Sequence, residues 1–237
     1  MEQPQDGGHV TRHLADAGLP YSPLNAVNGE RHARAVLIYG AGVGKEDALP
    51  LLEDPNWEVW ALNLVAPIDR HGRIRADRWF DLHQREAQSE DDLRWIAQCP
   101  VPIYVPPDLM DVNPRARNFP LAQIESEFGT NYWACTFAYQ IALAMFEQIE
   151  TIGLFGVELC YGTGRERTVE WANVMYWVGR AQERGHIIQV PQESTLGRHP
   201  ARYGLEYQAE IDAVNRYTDM YDRLDIHRID TRMNIGG

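Results

Sequence analysis

Three glycines alternate at Gly40, Gly42 and Gly44, directly after the apolar run Val36-Leu37-Ile38-Tyr39 and before Lys45. Glycine carries no Cβ and accepts positive φ, so such a turn lets backbone amides approach a phosphate, and a helix that follows aims its free N–H groups at the anion. The spacing is G-x-G-x-G rather than G-x-G-x-x-G, and Gly44-Lys45 lacks the glycine five residues earlier that a Walker A loop carries. A tight strand-to-helix turn is the plain alternative. Two histidines stand where a general base would be wanted: His83, in the run Asp77-Arg-Trp-Phe-Asp81-Leu-His83, and His186, at the start of an apolar stretch. Either could take a proton from an acceptor hydroxyl, or serve only as a satisfied structural histidine. Arg165 and Arg167 follow Gly162-Thr163-Gly164, a setting that suits an anionic ligand unless the local glutamates neutralise them. No carboxylate pair has clear metal-ligand spacing, and no metal site is assigned. Glu90-Asp91-Asp92 reads as the solvated first turn of a helix, where carboxylates complement the helix dipole.

The elements that must position these residues follow from periodicity and breakers. Residues 36–39 form a first strand, 46–52 a short helix stopped by Asp54-Pro55-Asn56, and 57–64 a second strand. Near the end of that strand stands Asn63, where a dinucleotide-binding fold places an acidic residue on the ribose, so an NAD(P)-dependent dehydrogenase is disfavoured. Residues 78–83 make a third strand that delivers Asp81 and His83 to the carboxyl edge of the sheet, where open α/β sheets bind ligands. A helix over 89–97 and a strand over 101–105 come next. The proline-rich stretch 106–120 reads as a lid, a binding loop or a surface loop. Residues 132–149 are apolar around nearly the whole circumference, as in a helix buried against a sheet. A fifth strand over 152–159 carries Glu158 near its end, and a helix over 169–184 places Trp171, Tyr176 and Trp177 in a core or interface. A sixth strand spans 186–190, after which Glu193, Ser194 and His199 lie in a loop expected to return to the same edge. This is a single Rossmann-like α/β domain, a three-layer fold with a mostly parallel sheet, over residues 35–205. An N-terminal arm covers 1–34, and a C-terminal helix and tail cover 206–237.

The 237 residues carry 22 Lys and Arg against 34 Asp and Glu, a formal charge of −12. Nucleic-acid polymers and anionic membranes are bound by basic surfaces, so neither is an expected partner, whereas a small nucleotide held by a turn and a few arginines is. Cys99, Cys135 and Cys160 form no C-x-x-C, which fits free thiols in a reducing cytoplasm. No signal peptide or apolar membrane-length stretch is read in the sequence.

The order of these features resembles a Rossmann-like superfamily that includes bacterial sialyltransferases of the lipooligosaccharide type, motility accessory factor proteins and archaeal-type 6-hydroxymethylpterin diphosphokinases. The matching residues are Gly40-Ala-Gly42-Val-Gly44, Leu62-Asn63, Ala134-Cys135-Thr136-Phe137-Ala138 and Ile152-Gly-Leu-Phe-Gly-Val-Glu158-Leu. With the 77–83 run and the proline-rich stretch, the pattern also resembles small proteins encoded by bacteriophages. The resemblance spans residues 35–205. It implies a nucleotide-binding pocket with the glycine turn near phosphate, Asn63 near base or ribose, and Thr136 near the ligand. This chain has Val43-Gly44-Lys45 where the sialyltransferases usually carry proline and serine after the first glycines. It has Cys135-Thr136-Phe137 where they use Thr-Ser-Gly, and their catalytic histidine and tyrosine do not align. A shared pocket is therefore better supported than a shared reaction.

Two function classes follow. The first is a transferase using a nucleotide or nucleotide-sugar, by glycosyl or diphosphoryl transfer. The second is a non-catalytic protein that binds or sequesters a nucleotide or nucleotide-derived signal. No separate cofactor is assigned. The expected location is the cytoplasm, that of the host for a phage-encoded chain, with a homo-oligomer contact through the terminal segments.

Overall fold

The computed structural model describes residues 35–63, 72–159, 163–191, 194 and 196. The arm assigned to 1–34, the C-terminal helix, and Cys160, Glu193 and His199 lie outside these residues.

Among the described residues, seven strands form one parallel sheet: β1 (Ala35–Tyr39), β2 (Trp57–Leu62), β3 (Arg78–Phe80), β4 (Ile103–Val105), β5 (Ala116–Asn118), β6 (Thr151–Phe155) and β7 (Ile187–Gln189), in the order β5-β4-β3-β2-β1-β6-β7. The central position of β1 follows from its residues. Every side chain of Ala35–Tyr39 is buried, and a strand covered on both faces reads as an unbroken apolar run. Its alternation sorts the two layers. Val36 and Ile38 pack into a core with the helices α3 (Leu121–Phe128), α4 (Thr136–Phe146) and α5 (Trp171–Glu183). Leu37 and Tyr39 point the other way, onto Ala48 and Leu52 of the short helix α1 (Leu49–Glu53) and its preceding turn. Farther along the sheet, α2 (Glu90–Gln98) buries Ile96 against Trp79, Ile103 and Ala61. The result is the three-layer α/β/α architecture expected from the sequence.

Helix α4 is the buried central helix. All residues from Gln140 to Phe146 are buried, which explains why its sequence is apolar all round. It is shorter than the 132–149 run. Residues 132–135 are not helical, because Asn173 of α5 holds them extended: its side-chain oxygen accepts from the Ala134 amide at 2.9 Å and its side-chain amide donates to the Tyr132 carbonyl at 3.0 Å. The Trp177 indole donates to the same carbonyl at 3.1 Å.

At the opposite, amino-terminal side, Arg78 of β3 is 1% exposed between two carboxylates, Glu58 of β2 at 2.5 Å and Glu147 just after α4 at 2.6 Å. Its guanidinium lies 4.8 Å from the Trp60 ring centroid. Burial works against its charge, but Glu147 and Glu58 overcome that and raise its pKa. This ionic triad ties the C-terminal end of α4 to the sheet.

The proline-rich stretch is more ordered than a loop. It contains a 3-10 turn (Pro107–Leu109), the edge strand β5 and the approach to α3. Neither β5 nor α3 was legible in the sequence. A three-residue strand whose second and third side chains are exposed has no periodicity to read. Buried Asn113 fixes the stretch by donating to the carbonyls of Ile96 and Cys99 at the end of α2.

Candidate functional site

The strand order reverses between β1 and β6, so the chain leaves β1 toward one side of the sheet and later enters β6 on the other. The carboxyl edge at such a reversal is where open α/β sheets bind ligands. A cavity of about 560 Å³ lies at this edge.

The glycine turn forms part of its rim, for a reason the sequence did not reveal. The Gly40 amide donates to the Phe155 carbonyl and the Gly42 amide to the Gly156 carbonyl, each at 2.8 Å. A Cβ at Gly40 would stand 2.2 Å from the Gly156 carbonyl oxygen, and one at Gly42 would stand 2.8 Å from it. Both glycines are therefore required by the close passage of the β1 and β6 loops, and both amides are already engaged. The expected phosphate cradle is corrected accordingly: Ala41 and Gly42 line the cavity, but Gly40, Gly44 and Lys45 do not. Gly44, with φ of 80°, instead starts a 3-10 turn (Lys45–Ala48) and packs against Pro191.

The start of α4 forms another wall of the cavity. Ala134, Cys135, Thr136 and Phe137 all line the cavity, with Thr136 at the first helical position. The dipole of this eleven-residue helix favours negative charge there. Burial pushes the Cys135 thiol up to about 11, and the amides of Ala138 and Phe137 offset this only in part, so the thiol form is favoured at neutral pH. Beside it stands Arg165, whose Nε donates to Glu170 at 2.9 Å and whose terminal nitrogen donates to the Ala134 carbonyl at 3.2 Å. Arg165, Glu166 and Glu170 all line the cavity, and a π-helical turn (Glu166–Glu170) carries both glutamates. Such turns recur at functional sites because the extra residue re-aims side chains. Arg167, on the same turn, does not reach the lining.

On the sheet side, Asn63 adopts the left-handed conformation, with φ of 48°. Its amide donates to the Phe80 carbonyl and its carbonyl accepts from the Trp79 indole, which together fix the turn. Its side-chain Oδ1 is buried on the cavity lining and has no hydrogen-bond partner among the described residues. A buried acceptor without a donor is costly, of the order of 1–3 kcal/mol.

Next along the edge, His83 lines the cavity with its side chain 52% exposed. Its Nδ1 is 3.2 Å from Oδ1 of Asp81. Asp81, expected to touch ligand, is instead fully buried behind the imidazole and absent from the lining. The hydrogen bond to Asp81 is the main reason the His83 pKa is raised above the ordinary 6.5; burial lowers it, and the charges of Asp81, Asp92 and Glu170 raise it. Because the folded value is the higher one, the pair's contribution to stability is full below pH 6.5 and is lost as pH rises through the raised value. His186 lies elsewhere. It immediately precedes β7, at the amino edge of the sheet, where Nδ1 is 2.7 Å from the Ile149 carbonyl, and it does not line the cavity. Of the two candidate bases, only His83 reaches the site.

Glu158 joins Glu166 and Glu170 on the lining, so carboxylates outnumber Arg165 there. Trp133, Phe137 and Tyr139 supply an apolar wall, with Trp133 stacked 4.5 Å from Tyr139 and 4.7 Å from Trp177. Trp133, Glu166 and Glu170 were not singled out in the sequence. Their only signal was adjacency to residues that were, since their approach to the cavity depends on the non-helical segment before α4 and on the π turn.

No helix among the described residues is long and apolar enough to cross a membrane. Neither a protein-family model nor a curated protein matches the chain. Among solved structures, the chain is similar to the sialyltransferase CstII from Campylobacter jejuni in complex with the substrate analogue cytidine-5'-monophosphate, at 13% identity over 68% of this chain and 81% of that one, with a TM-score of 0.43. It is likewise similar to CstII in complex with CMP-3FNeuAc, at 14% identity over 68% and 82%, with a TM-score of 0.45. At this level of similarity neither ligand is carried over to this chain.

Proposed function

We propose that this chain is a transferase that binds a nucleotide-activated donor, a nucleotide-sugar, in the cavity at the β1/β6 crevice and passes the activated group to an acceptor hydroxyl. One observation carries the reading. A histidine backed by a buried carboxylate and a buried acceptor without a partner among the described residues, Asn63 Oδ1, share one cavity with a helix N-terminus and an arginine. The donor's phosphate fits against the start of α4 and Arg165, and an N–H or O–H of base or ribose donates to Asn63. The unprotonated Nε2 of His83 takes the acceptor's proton as the acceptor oxygen bonds to the transferred carbon. The bond from that carbon to the phosphate oxygen breaks, and the electron pair leaves with the nucleotide. A diphosphoryl transfer from the same cavity would use the same base on its acceptor hydroxyl, and the product released distinguishes the two reactions.

The test is native mass spectrometry with a panel of nucleotides and nucleotide-sugars, with and without candidate acceptors. Release of free nucleotide with modified acceptor supports the transferase. A ligand that binds and always returns unchanged establishes a non-catalytic binding protein instead. Two variants refine the binding mode. Asn63→Gly keeps the positive φ and removes the orphan acceptor, so the unliganded protein is expected to keep its stability within about 1 kcal/mol while donor affinity falls about tenfold. Equal affinity by calorimetry would remove Asn63 from the site. Glu170→Gln frees Arg165 from its exposed ion pair, and nucleotide affinity is expected to rise about two- to fivefold at low salt. Unchanged or weaker binding would mean that Arg165 does not face the phosphate.

A further inference from the structure

Asp81 and Gln88 make no contribution to the cavity lining, yet both converge on His83. The Gln88 side-chain nitrogen lies 2.7 Å from Oδ1 of Asp81 and 3.0 Å from the His83 carbonyl. One nitrogen facing two acceptors must be the amide NH₂, which fixes the orientation of the side chain and leaves Asp81 Oδ1 as an acceptor. That oxygen receives a second donor, and the imidazole Nδ1 is the group in reach.

The loop that brings Gln88 back over His83 is braced at both ends. A 3-10 turn (Arg85–Ala87) is tied to the neighbouring loop, with the Arg85 amide donating to the Asp108 carboxylate at 3.0 Å and its guanidinium to the Asp108 carbonyl at 2.6 Å. Directly after Gln88, Ser89 caps α2 in a reciprocal pair with Asp92. Asp81 itself is held by its amide, which donates to the Tyr104 carbonyl at 2.9 Å. Its second oxygen, Oδ2, is buried without a partner among the described residues, so the carboxylate does not divide its hydrogen bonds between its two oxygens.

We infer that Asp81 and Gln88 are positioning residues for His83. They hold the imidazole in the tautomer with Nδ1–H on Asp81, so that Nε2 carries the lone pair and is presented to the cavity. Gln88 fixes the carboxylate and the His83 backbone together, so that ring and carboxylate keep one relative orientation. The inference rests on the proposed role of His83 as the base. It assigns Asp81 away from the ligand and gives Gln88 a function that its own distance from the cavity conceals. The charged groups that face His83 are Asp81 from the same loop, Asp92 from α2 and Glu170 from the π turn. Asp81 is the only one of the three within hydrogen-bonding distance of the ring.

The test reads the imidazole directly. Long-range proton–nitrogen correlation spectra of the full-length, uniformly ¹⁵N-labelled protein are recorded across pH, with the His83 signals identified by their loss in His83→Gln. The wild type is expected to show a single Nδ1–H tautomer and a titration midpoint above 6.5. Asp81→Asn, which is nearly isosteric, is expected to lower that midpoint and populate both tautomers. Gln88→Ala, at a partly exposed position where folding is not at stake, is expected to loosen the tautomer preference while Asp81 remains. Turnover of the donor identified by mass spectrometry is expected to fall about tenfold or more in Asp81→Asn, with its KM little changed. Wild-type tautomer and midpoint in both variants would overturn the positioning role. A changed tautomer with unchanged turnover would uphold it and instead refute His83 as the base.

Discussion

His83→Gln is expected to lower turnover of the nucleotide-activated donor by about 10²–10⁴-fold, the usual contribution of a positioned general base, while donor affinity stays within about threefold. The split follows from geometry. His83 reaches the cavity through a half-exposed ring, whereas the groups assigned to the donor are Asn63, Arg165 and the start of α4. His186→Gln is expected to leave turnover unchanged, since its ring is bonded to the Ile149 carbonyl at the amino edge. The pH profile has a definite sign. A base works unprotonated, so the rate should rise with pH through the titration of His83, whose midpoint lies above 6.5 because Asp81 favours the imidazolium. Single-turnover rates of both variants from pH 5 to 9 provide the check. Activity of His83→Gln within twofold of wild type would remove the base from the mechanism.

Arg78→Met is expected to destabilise the protein by about 3–5 kcal/mol, because it leaves Glu58 and Glu147 buried without their counter-charge. For a domain of this size that corresponds to a fall in Tm of roughly 10 °C. The loss belongs to the stranded carboxylates rather than to the arginine's own net contribution. The triple variant Arg78→Met, Glu58→Gln, Glu147→Gln should therefore recover much of it, and thermal unfolding of the single and triple variants followed by circular dichroism tests this. A single variant that melts with the wild type would mean that the triad makes no net contribution to stability. The triad lies at the amino side, away from the cavity, so neither set of substitutions should change donor affinity below the melting transition.

What the sequence determined by itself was local. The unbroken apolar run of β1 had to be a doubly covered strand, and the all-apolar circumference of α4 had to be buried. Ser89 with three acids behind it had to begin a helix, and the breakers at Asp54-Pro55-Asn56 and Gly185 had to end others. Those signals sit within a few residues of one another, and they sufficed for a parallel α/β sheet and for the edge at which Asn63 and His83 emerge.

The tertiary structure decided whatever depends on residues distant in the chain. Gly40 and Gly42 look like a phosphate loop in isolation. Only the approach of Gly156 from β6 shows that the missing Cβ atoms make room for backbone and that both amides are taken. His83 and His186 are both candidate bases in the sequence, which puts the first at the end of a strand and the second at the start of one. The sheet separates them because His186 precedes its strand, whereas His83 follows one. Asp81, two residues before His83, stands behind the ring and off the cavity lining, with its carboxylate buried. Arg165 and Arg167, two positions apart, part company: the first, just before the π turn, lines the cavity and the second, on the turn, does not. Hydrophobic periodicity records which face of an element is buried. It does not record which elements meet at a strand end, and the chemistry of this site depends on those meetings.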